Sequence, residues 1–394
     1  VAEKEDKMRI VSLETFLTNA GLRNYCFIRL RTDTGLSGIG EASLEWQERT
    51  TETLIHELFE QRYVLGADPF DIESLVMRMV RDQYQGGAVA MTAISGIEIA
   101  CWDLIGKATG QPVYRLLGGR CHDRLQAYAN GWYGGAVTPE EYAERAKAVV
   151  AAGYRGLKFD PFGVAWKRLS GEEMKRSETL VAAVRRAVGD DVELMIEMHG
   201  RLALDVALEM AQRLAPYQPT WYEEPVAWEN LELLYAVKQH TNVRIAAGER
   251  LYMLADFARL AEMRAVDVLQ MDVAHCGGIL TGKKIAALAE PRDITFAPHV
   301  SVGPVSLAAA LHLDMCCHNF FRQENFSEHD VNYRDELVCG WNRFSRGYFT
   351  LDDTPGLGLE LNDAALAAHP YQPNTFPPLW DSGWIREFTK REPT

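Results

Sequence analysis

Apolar positions are spaced in two different ways along the chain. Before residue 125 the spacing is mixed. Tyr25 to Arg31 has the density of a strand, Thr34-Gly35 supplies a turn before the next apolar run at Leu36, and Thr92 to Lys107 is helical in pattern. The Gly118-Gly119 break closes this opening unit near Arg124. Beyond it strand and helix alternate. Thr138-Pro139-Glu140-Glu141 reads as a helix start, with a capping hydroxyl, a proline in the first turn and a glutamate three residues after the cap, and Gly153 ends that helix. A short strand, Gly156 to Phe159, follows at once. Ser170-Gly171-Glu172-Glu173 opens a second capped helix that runs into the strand Val192 to Met198, and the alternation continues to Phe326. Alternation of this kind predicts a parallel sheet.

Polar residues set the period. Glu197, Glu223, Glu249, Asp272, His299 and Glu324 follow one another at intervals of 26, 26, 23, 27 and 25 residues, each where an apolar strand gives way to a loop. One strand-helix unit needs about that many residues, and a barrel of eight such units takes roughly 250 residues and keeps its chemistry at the C-terminal ends of the strands. The expected division is an opening α+β unit over 1–125, a (β/α) barrel over 126–350 and a segment over 351–394. That last segment, with Asp353 to Glu360, Trp380 and Trp384, reads as irregular and is expected to pack back on the opening unit.

Composition narrows the function. The chain of 394 residues is 47% apolar and 24% charged, which excludes a disordered chain, and no uninterrupted apolar run approaches the roughly 20 residues of a membrane span. Val1 to Lys7 is charged rather than leader-like, so a cytoplasmic location is expected. A net charge of −14 with no basic run argues against nucleic acid. It leaves room for a small anionic substrate, provided a local cation holds it. Seven cysteines without a C-x-x-C spacing speak against a disulfide framework and a thiolate zinc site.

Glu197, Glu223 and Glu249 end three successive strands, so their carboxylates can converge. Three oxygen ligands and no soft ligand suit Mg2+ better than zinc. A lone glutamate at such a place is as readily a solvated or salt-bridged carboxylate, and it is the spacing of three that favours a metal. Glu224 neighbours Glu223 and should point to the opposite face of the strand.

The strings Met198-His-Gly-Arg201, Glu223-Glu-Pro225, Ala246-Ala-Gly-Glu-Arg250, Leu269 to Gly278 and Ala297-Pro-His299 resemble the enolase superfamily. Within it they are most similar to the mandelate racemase subgroup and its sugar-acid dehydratases of the D-galactonate type. The resemblance spans nearly the whole chain. It implies a modified (β/α)8 TIM-type barrel with an α+β capping domain formed by the N-terminal region and the C-terminal tail. It also implies one Mg2+ held by Glu197, Glu223 and Glu249, His299 as the base oriented by Asp272, and His199 as the acid that helps water leave. Glu324 matches a glutamate that binds the substrate carboxylate. His275, which on its own reads as a packed histidine, matches a position that lines the pocket.

Where racemases of this superfamily carry Lys-x-Lys, the second strand here reads Gly156-Leu-Lys-Phe-Asp-Pro161, with Asp160 in place of the second lysine. Lys158 is expected to act electrostatically and Asp160 to meet a substrate hydroxyl. The implied reaction removes the proton α to a carboxylate and then the β-hydroxyl of an aldonate, giving a 2-keto-3-deoxy acid. Epimerisation through the same intermediate is the alternative, and a non-catalytic ligand-binding relative is the third reading. Homo-oligomers are common among such proteins. The sugar itself is expected to be read by loops near Thr18 to Arg23 and Tyr84 to Ala88.

Overall fold

The computed structural model describes residues 7–21, 23–84, 86–326, 331–340 and 343–373. The expected packing of Trp380 and Trp384 lies outside the described residues. Three antiparallel strands open the chain, β1 (Ile10–Asn19), β2 (Asn24–Thr32) and β3 (Ser37–Glu41), with Phe16 opposite Phe27 and Phe27 opposite Glu41. Helix α1 (Glu48–Leu54), continued by a π-helix over Ile55–Val64, then α2 (Ile72–Arg81) and α3 (Ala88–Thr109) complete this layer.

Missing side chains let α3 lie directly on the sheet: a Cβ on Gly96 would stand 2.8 Å from the Ala42 Cβ. The helix is long and apolar enough to cross a membrane by length and composition, yet 83% of its apolar window is buried inside the protein. It is therefore read as a core helix. Glu98 and Asp103 interrupt its apolar run.

After α4 (Val113–Leu116) come the barrel strands β4 (Leu125–Ala129), β5 (Gly156–Phe159), β6 (Glu193–Glu197), β7 (Trp221–Glu223), β8 (Arg244–Ala247), β9 (Val268–Leu269), β10 (Thr295–Phe296) and β11 (Gln323–Asn325). Each of β4 to β9 pairs in parallel with the next, and β11 returns to lie parallel to β4. The remaining seam, between β10 and the residues just before β11, is joined by a single parallel bridge, Phe296 to Phe320. Helices α5 (Pro139–Ala151), α6 (Gly171–Val188), α7 (Leu204–Leu214), α8 (Leu231–Gln239), α9 (Leu254–Met263), α10 (Ile279–Ala289) and α11 (Pro304–Met315) follow β4 to β10 in turn. Thr138 and Ser170 make the capping boxes that the sequence predicts at α5 and α6. Tyr128, Met195, Trp221, Ala246, Val268 and Ala297 form a separate buried cluster contributed by different strands, the packed interior expected of a barrel rather than a pore.

Carboxylates of the opening unit hold barrel helices by their N-termini. Glu98 accepts from the backbone N–H groups of Ile279 (2.8 Å) and Leu280 (2.9 Å) at the start of α10, and Glu41 from those of Gly303 (2.6 Å) and Ser306 (2.8 Å) at the start of α11. The first turn of a helix leaves N–H groups unpaired and carries a partial positive charge, which favours a carboxylate there against the burial that raises Glu98 to about 7 and Glu41 above its ordinary range. Both helices follow the loops that carry Asp272 and His299, so these contacts fix the rim of the barrel. From the other end of the chain, Gly356 exchanges backbone hydrogen bonds with Gln111 and Val113, and the His369 carbonyl accepts from Asn19. The segment beyond Phe349 is less irregular than its sequence suggests, since Asn362 caps a short helix, α12 (Asp363–Ala368).

Candidate active site

Glu197 and Glu223 are the last residues of their strands and lie directly opposite each other in the β6–β7 register. Alternation along β7 turns Trp221 and Glu223 the same way, and the Trp221 indole donates to the Glu223 carboxylate at 2.9 Å. Glu249 follows two residues after β8. One oxygen from each of Glu197, Glu223 and Glu249 lies within 4.8 Å of the others. Lys158, only 2% exposed, reaches into this acidic group from β5, contacting Glu223, Glu324 (2.9 Å) and Glu197 (3.4 Å). Burial alone would raise the Glu223 carboxyl, but the Lys158 ammonium outweighs it and holds the group down at about 2. Glu197 moves the other way, raised well above the ordinary carboxylate range by burial and then by the Glu223 charge.

The residues fit a divalent cation on this structure's own terms. The donor set is all oxygen, and buried Glu197 Oε2 accepts no hydrogen bond, with the Lys158 ammonium 3.4 Å away. Glu224 stands apart from the cluster. The strand ends before it, its φ is +40°, and its carboxylate faces Arg250 at 3.3 Å.

Three histidines line one cavity of about 340 Å3, and two of them are each backed by an aspartate at hydrogen-bond distance. His299 Nδ1 lies 2.7 Å from Asp272 Oδ2, and His199 Nδ1 lies 2.8 Å from Asp160 Oδ2. They come from the ends of the third and seventh of eight barrel strands, which places them across the barrel from one another. Burial favours neutral imidazole at His299, but Glu249 and the Asp272 hydrogen bond prevail and raise it well above its ordinary range. At His199 burial prevails over Asp160, and the shift is downward. His199 reaches the cavity by a route different from the one expected. Strand β6 stops at Glu197, and His199 sits at φ +48° with its N–H donated to Glu197 at 2.7 Å, so a turn aims the ring rather than alternation along a strand.

Two expected substrate contacts are placed differently. Asp160 is not among the residues lining the cavity: it accepts from His199, Arg201 and the Phe162 N–H (2.8 Å). Glu324, fully buried, is likewise absent from the wall, accepting from Asn130 (2.8 Å), the Val300 N–H (2.9 Å) and Lys158. His275 is both packed and cavity-lining, with Nε2 3.0 Å from the Ser43 carbonyl.

Sequence reading missed most of the roof. Arg23 belongs to one of the two loops expected there, whereas no described residue of Tyr84 to Ala88 lines the cavity and Tyr84 is fully exposed. Glu45, Trp46 and Gln47 take that place, with Tyr133, Tyr252 and Ser301 on the sides. Glu45 accepts from the Ser301 hydroxyl, and Arg23 donates to the Ser301 carbonyl, which ties roof to barrel. All seven cysteines are free thiols.

Comparison with known proteins agrees with this geometry. Residues 141–365 match the model of the enolase C-terminal domain-like family, and residues 3–118 match that of the mandelate racemase / muconate lactonizing enzyme N-terminal domain. The chain is 36% identical to a D-gluconate dehydratase of Thermoproteus tenax over 92% of its own length and 73% of the relative's. It is 34% identical to a D-gluconate/D-galactonate dehydratase of Picrophilus torridus over 93% and 91%. A crystal structure of a mandelate racemase/muconate lactonizing enzyme from Sulfitobacter sp. superposes with a TM-score of 0.87 at 33% identity, covering 93% of this chain and 96% of that one.

Proposed function

Because the chain belongs to the mandelate racemase / muconate lactonizing enzyme family of the enolase superfamily, we propose that it is a magnesium-dependent dehydratase of aldonates such as gluconate or galactonate. The observation that carries this reading is the pair of Asp-backed histidines facing each other beside three converged carboxylates. Glu197, Glu223 and Glu249 would hold the ion. Magnesium, when bound, supplies positive charge that offsets the second negative charge a carboxylate gains as its α-proton leaves.

The protein's own groups move the protons. His299 is the base: Asp272 fixes its Nδ1 as donor, which leaves Nε2 to accept the α-proton. With the charge of Glu249 committed to the cation, Asp272 is the remaining group in contact that favours the imidazolium. His199 is the acid for the departing β-hydroxyl. The negative charge of an entering substrate favours its protonated form, against the burial that lowers it in the free protein. Loss of water leaves an enol that tautomerises to the 2-keto-3-deoxy acid. Asp160 and Asp272 are positioning residues, and Lys158 and Glu324 form the charged floor of the site. His275 and the roof residues around Glu45 would meet the polyol end.

The same reading carries a division into a capping unit over 1–125, a catalytic barrel over 126–350 and a returning segment over 351–394. It also carries a cytoplasmic location and symmetric self-association. The test is a panel of aldonates and aldarates with Mg2+, assayed for 2-keto-3-deoxy product in D2O. We expect product from at least one aldonate, no α-deuterium exchange in His299→Asn, and exchange without water loss in His199→Asn. Deuterium appearing in recovered substrate of the unaltered protein, with no keto acid formed, would instead establish epimerisation. Full activity in His299→Asn would remove it as the base.

A further inference from the structure

Arg124 and Arg155 immediately precede β4 and β5, so they stand at the N-terminal end of the barrel, while the carboxylate triad and both histidines stand at its C-terminal end. With Arg346 they line a cavity of about 560 Å3, completed by Gly153, Ser345, Tyr348 and Thr350. In a chain with 55 acidic against 41 basic residues, most arginines would be expected to find a carboxylate. Some others do: Arg322, which immediately precedes β11, grips Glu193 with two hydrogen bonds of 2.8 Å. Among the described residues, none of the three cavity arginines makes an ion pair. All three are exposed residues that line one shared volume.

Two features show that this arrangement is built into the fold rather than left as loose surface. The Arg124 guanidinium lies over the Tyr348 ring, 3.8 Å from its centroid, which restricts the side chain while leaving its N–H edges free. Arg346 occupies the first central position of a two-residue hairpin turn between Phe344–Ser345 and Tyr348–Phe349, with φ +48° there and +79° at Gly347. That position calls for asparagine, aspartate or glycine, and an arginine there is strained. The turn is clamped in place: Gly347 accepts from the Ala127 N–H at 2.9 Å, and a Cβ on Gly153 would stand 2.6 Å from the Arg346 Cα. Strained residues held by their surroundings concentrate at binding sites.

We propose that this end of the barrel is a second binding site, separate from the catalytic one, for a small phosphomonoester. Three guanidinium forks on three chain segments, with the Ser345, Tyr348 and Thr350 hydroxyls beside them, match a tetrahedral dianion with three terminal oxygens better than a planar carboxylate, which one fork can satisfy. The cavity exceeds a bare phosphate and has room for the carbon skeleton that carries it.

The site is testable on the full-length protein, in EDTA so that the carboxylate triad holds no cation, by calorimetric titration with glycerol 3-phosphate at fixed ionic strength. One saturable site is expected, with a dissociation constant at or below the millimolar range, unaffected by His299→Asn. Arg346→Gly is the informative variant because it relieves the backbone strain: its thermal midpoint should hold or rise while affinity falls at least tenfold. Arg124→Gln/Arg155→Gln should abolish binding. No saturable binding at 10 mM ligand, or unchanged affinity in Arg346→Gly, overturns the proposal. So does a change of oligomeric state in Arg346→Gly, since the arginines would then serve a contact between copies.

Discussion

His199 leans on Asp160 at 2.8 Å much as His299 leans on Asp272 at 2.7 Å, so the site holds two histidine-aspartate pairs on facing strands rather than one. The second pair occupies the place where racemases of this superfamily keep a lysine. A lysine would be its own acid, whereas on the proposed reading Asp160 acts through the ring that it orients, and Arg201 meets the same carboxylate oxygen, Oδ2.

Asp160→Asn should therefore lower kcat for water loss on the order of 10²-fold, the usual cost of losing a residue that orients a catalytic group, with KM little changed. Exchange of the α-proton should persist, because His299 is untouched. Asp160→Glu should recover part of the rate. If Asp160→Asn instead raises KM and leaves kcat alone, the carboxylate contacts substrate directly.

Lys158 is the only ammonium within reach of Glu197, Glu223 and Glu324 among the described residues. Removing one partner of a buried ionic group costs about 3–5 kcal/mol because the others are left uncompensated. Lys158→Met should lower the unfolding free energy by that order in EDTA, and Mg2+ should restore more of the thermal midpoint in the variant than in the unaltered protein. An equal response to Mg2+ in both would show that ammonium and cation do not share the work of neutralising the triad.

Mg2+ itself should raise stability by about 2.7 kcal/mol at a hundredfold excess over its dissociation constant. Glu249→Gln should lose most of that gain. Calorimetry with and without the ion measures it, and an undiminished gain in the variant would place the ion elsewhere.

His312 gives a pH signature away from the active site. It accepts from the Tyr114 N–H at 3.1 Å and faces the Leu357 carbonyl at 3.3 Å, and burial pushes its pKa down from 6.5 to about 3. Its folded value is depressed, so as pH falls below 6.5 the proton goes first to the unfolded chain. The stability it contributes is whole above pH 6.5 and is lost progressively towards pH 3, at up to ~1.4 kcal/mol per pH unit. His312→Gln should be less stable at pH 7 by about 1–2 kcal/mol, and its stability should fall less steeply between pH 6.5 and 3. Parallel acid unfolding curves for the two proteins would contradict this.

What the sequence makes legible here is what depends on neighbours in the chain or on a repeating interval. Thr138 and Ser170 cap their helices through residues three positions away, and the strand-end carboxylates recur because one strand-helix unit has a fixed length. The contacts of Asp160 are not legible locally because its partners, His199 and Arg201, lie 39 and 41 residues on and meet it only after two strands pair. His199 and Glu224 sit just past strand ends with positive φ, where side-chain alternation no longer applies. The roof loop around Glu45 and Trp46 has no periodicity at all, so only three-dimensional packing brings it over the cavity.

The cavity's lining has two origins, and that has an evolutionary cost structure. Every group that would shuttle a proton is anchored to a barrel strand or the turn following it, while Arg23, Leu44, Glu45, Trp46 and Gln47 hang from the other layer. Edits to that loop can re-cut the mould offered to a ligand's far end without disturbing the alignment of either imidazole. A shift in preference among stereoisomers is thus a short mutational walk, whereas a new reaction would require rebuilding the barrel's mouth.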